Sequence, residues 1–222
     1  MCGVIGISMK EADLDLVCNI FRQSMIRGKH ATGLTYVSDG VLKTHKDGID
    51  ANTFLDSFDM EQVVDADNSI NMIGHIRYST SDLRYNQPFN NEDVSIVHNG
   101  VISQEDPSTW SYKTETANDS ELILRAIEDN KTPLTHFRPA SMAVLELWAT
   151  KTLVGYRNEA RPLWRSFVDD NGVVFTSTAD IAKRSGLTSP QKCDMFKEYR
   201  YLNGNMFIIP HPIEEERLDD LQ

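Results

Sequence analysis

The sequence predicts an α+β fold in which two mainly antiparallel sheets share a core between helical layers. Three observations carry this. Alternating apolar segments outnumber helical ones, and short turns join them, which suits antiparallel pairing. Too few helices intervene for the strict strand–helix alternation of a parallel sheet. No internal repeat, low-complexity block or Pro/Gly/Ser linker divides the 222 residues, so a single domain is expected.

Each element has its own warrant. "CGVIGISM" reads as a short buried strand. "ADLDLVCNIFRQSMIRG" reads as a helix with Leu14, Val17, Phe21 and Met25 at helical spacing and Gly28 as its stop. Cys18, inside it, is a core residue. "TGLTYVSDGVLKTHKDG" is a hairpin with Asp39-Gly40 in the turn. Further strands are expected at "INMIGHIRYS", "VSIVHNG", "MAVLELWAT", "TLVGYRN", "GVVFTST" and "NMFIIP", and helices near 51–64, 118–129 and 178–185.

Composition narrows the function classes. A content of 40% hydrophobic and 25% charged residues is that of a globular protein with a substantial core. A net charge of -11 argues against nucleic acid or an anionic membrane as partner, since both attract positive surfaces. "CGVIGI" is too short for a signal peptide or a span and is followed at once by "KEADLD", so a cytoplasmic protein is expected. Cys2, Cys18 and Cys193 have neither pair spacing nor histidine-rich surroundings, so no disulfide framework, metal or cofactor is indicated. The run "EEERLDDLQ" reads as solvated charge.

Chemistry is expected in the loops beside the strands. Arg77 in "GHIRYSTSD" offers a planar fork suited to a carboxylate. Asn99-Gly100 in "VHNGVI" sets a side-chain amide beside a backbone N–H, the two donors a tetrahedral oxyanion needs. Each has a plain alternative. "NG" is a common turn dipeptide. Asn118 and Glu121 fit a helix capping box, which would leave Asp119 as a favourable charge at a helix N-terminus. Arg77 alone would be a surface or ion-pair residue, and His75 and His98 read as hydrogen-bonded structural histidines. Cys2, directly behind Met1, has no such explanation, because chain ends fray unless something ties them down.

Taken in order, "MCGVIGIS", "RGKHATGL", "GHIRYST", "NQPF", "VHNGVI", "NDSELIL" and "RNEARPL" resemble the class II glutamine amidotransferases, whose glutaminase domain belongs to the N-terminal-nucleophile hydrolases. The resemblance runs from Cys2 to about Gly204 and is greatest to the glutaminase domains of the amidophosphoribosyltransferases, then of the glucosamine-6-phosphate synthases. It implies a four-layer α-β-β-α sandwich over residues 2–210 with an acidic tail at 211–222. It implies that Met1 is removed and that Cys2 attacks the side-chain amide of L-glutamine. The base would be its own α-amino group, with an ordinary pKa of about 7.7–8.0. Asn99 and Gly100 would form the oxyanion hole, Arg77 would grip the α-carboxylate of glutamine and Asp119 its α-ammonium. Thr80 matches the glutamine-side loop, and Arg27 with Gly28 matches the element that supports the nucleophile. The chemistry requires no metal or cofactor.

Two departures from the family pattern stand out: His30 where many members have aspartate, and Ser81-Asp82 in place of a His-Gly pair. After Gly204 only "NMFIIPHPIEEERLDDLQ" follows, so the expectation is a glutaminase domain alone. It would supply ammonia to a separate synthase subunit, or act on its own as a γ-glutamyl amide hydrolase. A non-catalytic binding module is the third reading, but it would need neither a free thiol nor an oxyanion pair.

Overall fold

The computed structural model describes residues 1–79 and 85–212. In chain order its elements are β1 (Gly3–Met9), α1 (Leu14–Ser24), β2 (Ala31–Ser38), β3 (Val41–Asp47), α2 (Ala51–Ser57), β4 (Ile70–Arg77), β5 (Phe89–Asn90), β6 (Val94–Val101), α3 (Glu121–Glu128), α4 (Pro133–His136), β7 (Ser141–Trp148), β8 (Leu153–Arg157), β9 (Trp164–Val168), β10 (Gly172–Thr176), α5 (Ala179–Arg184), β11 (Gln191–Lys192), β12 (Lys197–Leu202) and β13 (Asn205–Pro210). One sheet runs β11-β9-β10-β1-β4-β2-β3 and the other β13-β12-β8-β7-β6-β5. Every pairing is antiparallel.

Strand alternation sorts side chains into layers. In β1, Val4 points between the sheets, where it joins Ile73, Val97, Leu145 and Phe175. Ile5, Ile7 and Met9 point the other way, onto Val17, Ile20 and Phe21 of α1. On the far side, Met142, Val144 and Tyr156 pack against Ile123 and Leu124 of α3 and Leu134 of α4. Burying each such chain is worth about 1.5–3 kcal/mol before entropy is counted. The result is the predicted sandwich, α-β-β-α, with two sheets face to face. Among the described residues no helix is long and apolar enough to cross a membrane.

Local chemistry sets the element ends. Asp39 and Gly40 both take positive φ, 53° and 74°, as the tight turn between β2 and β3 requires. Asp13 caps α1 by accepting from the Leu16 N–H at 2.9 Å. The helix ends at Ser24, earlier than its apolar spacing suggests, because the chain then turns through Arg27 N–H to Ser24 and Gly28 N–H to Met25. Gly28 is therefore a packing glycine, not the stop: a Cβ there would overlap the Arg77 carbonyl and the Tyr78 nitrogen. The segment 51–64 divides into α2 and a short 3-10 turn at Met60–Val63, each capped by an aspartate, Asp50 and Asp59. Elements without a sequence signal are β5, β9, β11, β12 and α4.

Candidate active site

The start of the chain is pinned, not frayed. β1 lies between β4 and β10, and the Val4 N–H donates to Ser177 Oγ at 2.8 Å. Register pairs Gly3 with Ile76 and Val4 with His75, which brings Cys2 level with Arg77 at one end of the sheet. Cys2 Sγ lies 3.9 Å from the Tyr78 carbonyl, and Arg27 Nε donates to the Cys2 carbonyl at 3.3 Å. Gly28 lets that turn press against the Arg77–Tyr78 backbone.

Facing Cys2, the end of β6 carries His98, Asn99 and Gly100. Val97 sits in the inter-sheet core, so Asn99, two residues on, shares its face. Asn99 is 2% exposed, and its Nδ2 has no partner among the described residues. At Gly100 a Cβ would overlap the Ser141 carbonyl and crowd His98 Nε2, so no other residue fits. Gln87 braces this end of β6 like an added strand: its Nε2 donates to the His98 carbonyl and to Ser120 Oγ, both at 3.0 Å, and its Oε1 accepts from the His98 N–H at 2.5 Å. The His98 ring meets Ser120 Oγ at 2.9 Å and the Ser141 carbonyl at 3.2 Å, a satisfied buried histidine. His75 differs: it is buried, yet its Nε2 has no partner among the described residues.

The capping box open to Asn118 and Glu121 does not form, and Asp119, just before α3, bonds outside the helix. Its Oδ2 accepts from the N–H groups of Ile102 at 2.6 Å and Ser103 at 3.1 Å, tying the loop after β6 to the start of α3. The Glu121 carboxylate turns away from a capping box to accept from the Glu115 and Thr116 backbones and to pair with Arg125 at 2.8 Å. Arg77 is aligned by Tyr85 and Asn86: its Nη1 donates to the Tyr85 backbone carbonyl at 2.9 Å and to the Asn86 side-chain Oδ1 at 2.6 Å. Thr80 and the Ser81-Asp82 pair lie outside the described residues. His30 anchors the chain just before them: its backbone N–H donates to Arg77 O at 3.0 Å and its Nδ1 accepts from the Ser79 N–H at 2.9 Å.

Cys2, Arg77, Asn99, Gly100 and Asp119 thus line one cavity of about 710 Å³. A second cavity, about 810 Å³, runs beside Lys46, Phe89 and α3, but among the described residues no cysteine or serine lines it and its Arg125 is engaged by Glu115, Glu121 and Glu128. No family model matches the sequence, and no curated protein does. Solved structures do match. A glutamine phosphoribosylpyrophosphate amidotransferase from B. subtilis superposes with TM-score 0.73 at 18% identity over 94% of this chain and 49% of that one. An allosteric regulatory enzyme of purine biosynthesis gives 0.71 at 18% identity, again over 94% and 49%. A glutamine aminotransferase class-II domain protein from Silicibacter pomeroyi gives 0.57 at 10% identity over 95% and 99%. The chain has the class II glutamine amidotransferase fold. It spans about half the length of the first two matches.

Within this amidotransferase fold the structure adds a residue that the sequence reading left without a role. Arg161, in "RNEARPL", lines the cavity. Its loop is held from behind: Arg157 Nη1 donates to the carbonyls of Asn158 at 2.9 Å and Arg161 at 3.1 Å, and Asn158 Oδ1 accepts from the Met142 N–H at 3.0 Å. Burial lowers the pKa of Arg27, with Cys2 opposing that shift and Arg161 adding to it, so two guanidinium groups lie within electrostatic reach of the Cys2 end of the cavity.

Buried titratable groups set an acid response. Burial, then Arg77, pushes His75 down to about 3, and burial lowers His98. Below about pH 6.5 the unfolded chain binds protons that these rings refuse, so each subtracts about 1.4 kcal/mol per pH unit from stability down to its folded-state pKa. Glu146, beneath the Trp148 indole, is pushed up to about 7 by burial and has the opposite sign: the folded form takes its proton first, which offsets one histidine between about pH 7 and 4.5. Urea unfolding is expected to show a shallow loss of stability from pH 6.5, steepening below 4.5 where the offset ends. A flat profile between pH 6.5 and 4.5 would mean that one of the two histidines is charged in the fold, and one rising as pH falls that neither ring is held neutral.

Proposed function

We propose that this chain hydrolyses L-glutamine to glutamate and ammonia through a thioester on Cys2, and that it delivers the ammonia to a separate synthase subunit. The observation that carries the reading is the buried, unpartnered Asn99 amide on the same cavity as the Cys2 thiol. A buried donor left unmade costs about 1–3 kcal/mol, which an oxyanion arriving there would recover.

The steps follow from the groups present. Met1 is 60% exposed, open to an aminopeptidase, and its removal turns the Cys2 nitrogen from an amide into an amine with a free lone pair. That amine takes the thiol proton, and the thiolate attacks the side-chain carbon of glutamine. The resulting oxyanion accepts from Asn99 Nδ2 and the Gly100 N–H. The C–N bond then breaks, the nitrogen receives the proton and leaves as ammonia, and water hydrolyses the thioester to glutamate. Arg77 and Asp119 hold the α-carboxylate and α-ammonium, selecting a free amino acid. Arg27 fixes the nucleophile's carbonyl. The three free thiols suit a cytoplasmic setting.

The test is the intact mass of the purified protein before and after incubation with a glutamine-mimicking diazo-ketone, with the label mapped. Loss of Met1 and one adduct on Cys2 is the expected result. An unlabelled Cys2 with Met1 absent would overturn it in favour of a binding module. Labelling without ammonia release from glutamine would shift the substrate to another γ-glutamyl amide.

A further inference from the structure

Of the two buried histidines on the cavity that the proposed reaction does not use, His75 and His98, His75 is the one with an unpartnered ring nitrogen among the described residues. It is 1% exposed, and it lines the same cavity as Cys2 and Asn99 with its Nε2 unpartnered among the described residues. Register sets it opposite Val4, whose side chain faces between the sheets, so His75 and Arg77 share the inner face of β4 with Cys2 beyond Val4 on the inner face of β1. His75 therefore forms the floor beneath the nucleophile, one step deeper than Arg77.

Burial, and then Arg77 nearby, keeps the ring neutral. A neutral imidazole that donates through one nitrogen offers only a lone pair at the other. With its proton on Nδ1, Nε2 is a buried acceptor without a donor among the described residues.

A carboxamide needs that complement. Its oxygen is served by Asn99 and Gly100, which leaves its NH2 group seeking an acceptor. Resting on the glutaminase reading, we propose that His75 Nε2 accepts a hydrogen bond from the NH2 of the bound carboxamide, making His75 the residue that selects an amide over a carboxylate. In the product a carboxylate oxygen takes the place of that nitrogen and sets lone pair against lone pair, which favours release of glutamate. A site built to bond an N–H rejects an analogue lacking it far more strongly than an apolar pocket does.

The test compares His75→Asn with His75→Gln in the Met1-free full chain. Asparagine keeps a short polar side chain and deletes the Nε2 acceptor, whereas the longer glutamine can return an oxygen to the Nε2 position. The diazo-ketone has no N–H at the reacting centre. His75→Asn is therefore expected to label Cys2 within about twofold of the wild-type rate while kcat/KM for glutamine falls about 10- to 100-fold and glutamate inhibits more tightly. His75→Gln should recover most of the loss. Equal losses of labelling and turnover in His75→Asn would reduce His75 to packing and overturn the assignment, as would unchanged turnover. Wild-type protein that does not label would remove the glutaminase reading itself. Should His75→Asn fail to fold, the 15N resonance of His75 Nε2 in the Cys2→Ala protein decides: a shift on adding glutamine and none on adding glutamate is expected, and identical responses would overturn it.

Discussion

Cys2→Ala is expected to abolish glutamine turnover, by on the order of 10⁴-fold or more, with less than about 0.5 kcal/mol change in stability. Both halves follow from position. The side chain sits ahead of β1, half-buried, and its one hydrogen-bonding contact among the described residues is a 3.9 Å approach to the Tyr78 carbonyl. Removing it creates no sealed cavity and strands no partner. Without the thiol no thioester forms, and among the described residues lining the cavity no other thiol stands beside Asn99 and Gly100. Steady-state ammonia release and urea unfolding measured on one preparation check the pair. Retained turnover would eliminate the covalent mechanism. Lost turnover accompanied by a large loss of stability would mean that Cys2 is structural. A form that retains Met1 should be equally inactive although its thiol is intact, because the Cys2 nitrogen is then an amide. That comparison separates the nucleophile from its base.

Sequence legibility tracked how fully local chemistry determined each element. Asp39-Gly40 announces the β2–β3 hairpin because few residues accept two successive positive φ angles. β1 is legible because both its faces are buried. β12, "KEYRYL", was missed although Tyr199 and Tyr201 alternate inward, because Glu198 and Arg200 on its other face pair at 2.6 Å and look like surface loop in a one-dimensional reading. The capping box failed for a similar reason: Glu121 found stronger partners in the 115–116 backbone and Arg125 than the helix end offered. Cys2, Arg77, Asn99, Gly100 and Asp119 were legible only as a spaced set, since the contacts that unite them come from sheet register. Arg161 and His75 had no signal of their own. One is an arginine in a loop and the other a histidine in an apolar strand, and only burial without a partner distinguishes His75 from a core residue.

Asn99→Ala tests the reading where activity and stability should move in opposite directions. Loss of one oxyanion donor typically costs about 2.7–4 kcal/mol of transition-state stabilisation, so kcat is expected to fall 10²- to 10³-fold. KM should change little, because the hydrogen bond strengthens as negative charge develops on oxygen and contributes less to the bound amide. Stability should not fall with it. Asn99 Nδ2 is buried without a partner among the described residues, and the side chain lines an existing cavity, so alanine deletes an unsatisfied donor and leaves no new sealed void. Relief of that desolvation is worth up to about 1–3 kcal/mol, so the variant should unfold at equal or higher urea concentration than the wild type. Gly100→Ala is the contrast: its Cβ meets the Ser141 carbonyl, so stability and activity should fall together. If Asn99→Ala loses stability as Gly100→Ala does, the amide is holding the fold, and the donor left bare on the cavity is not reserved for an oxyanion.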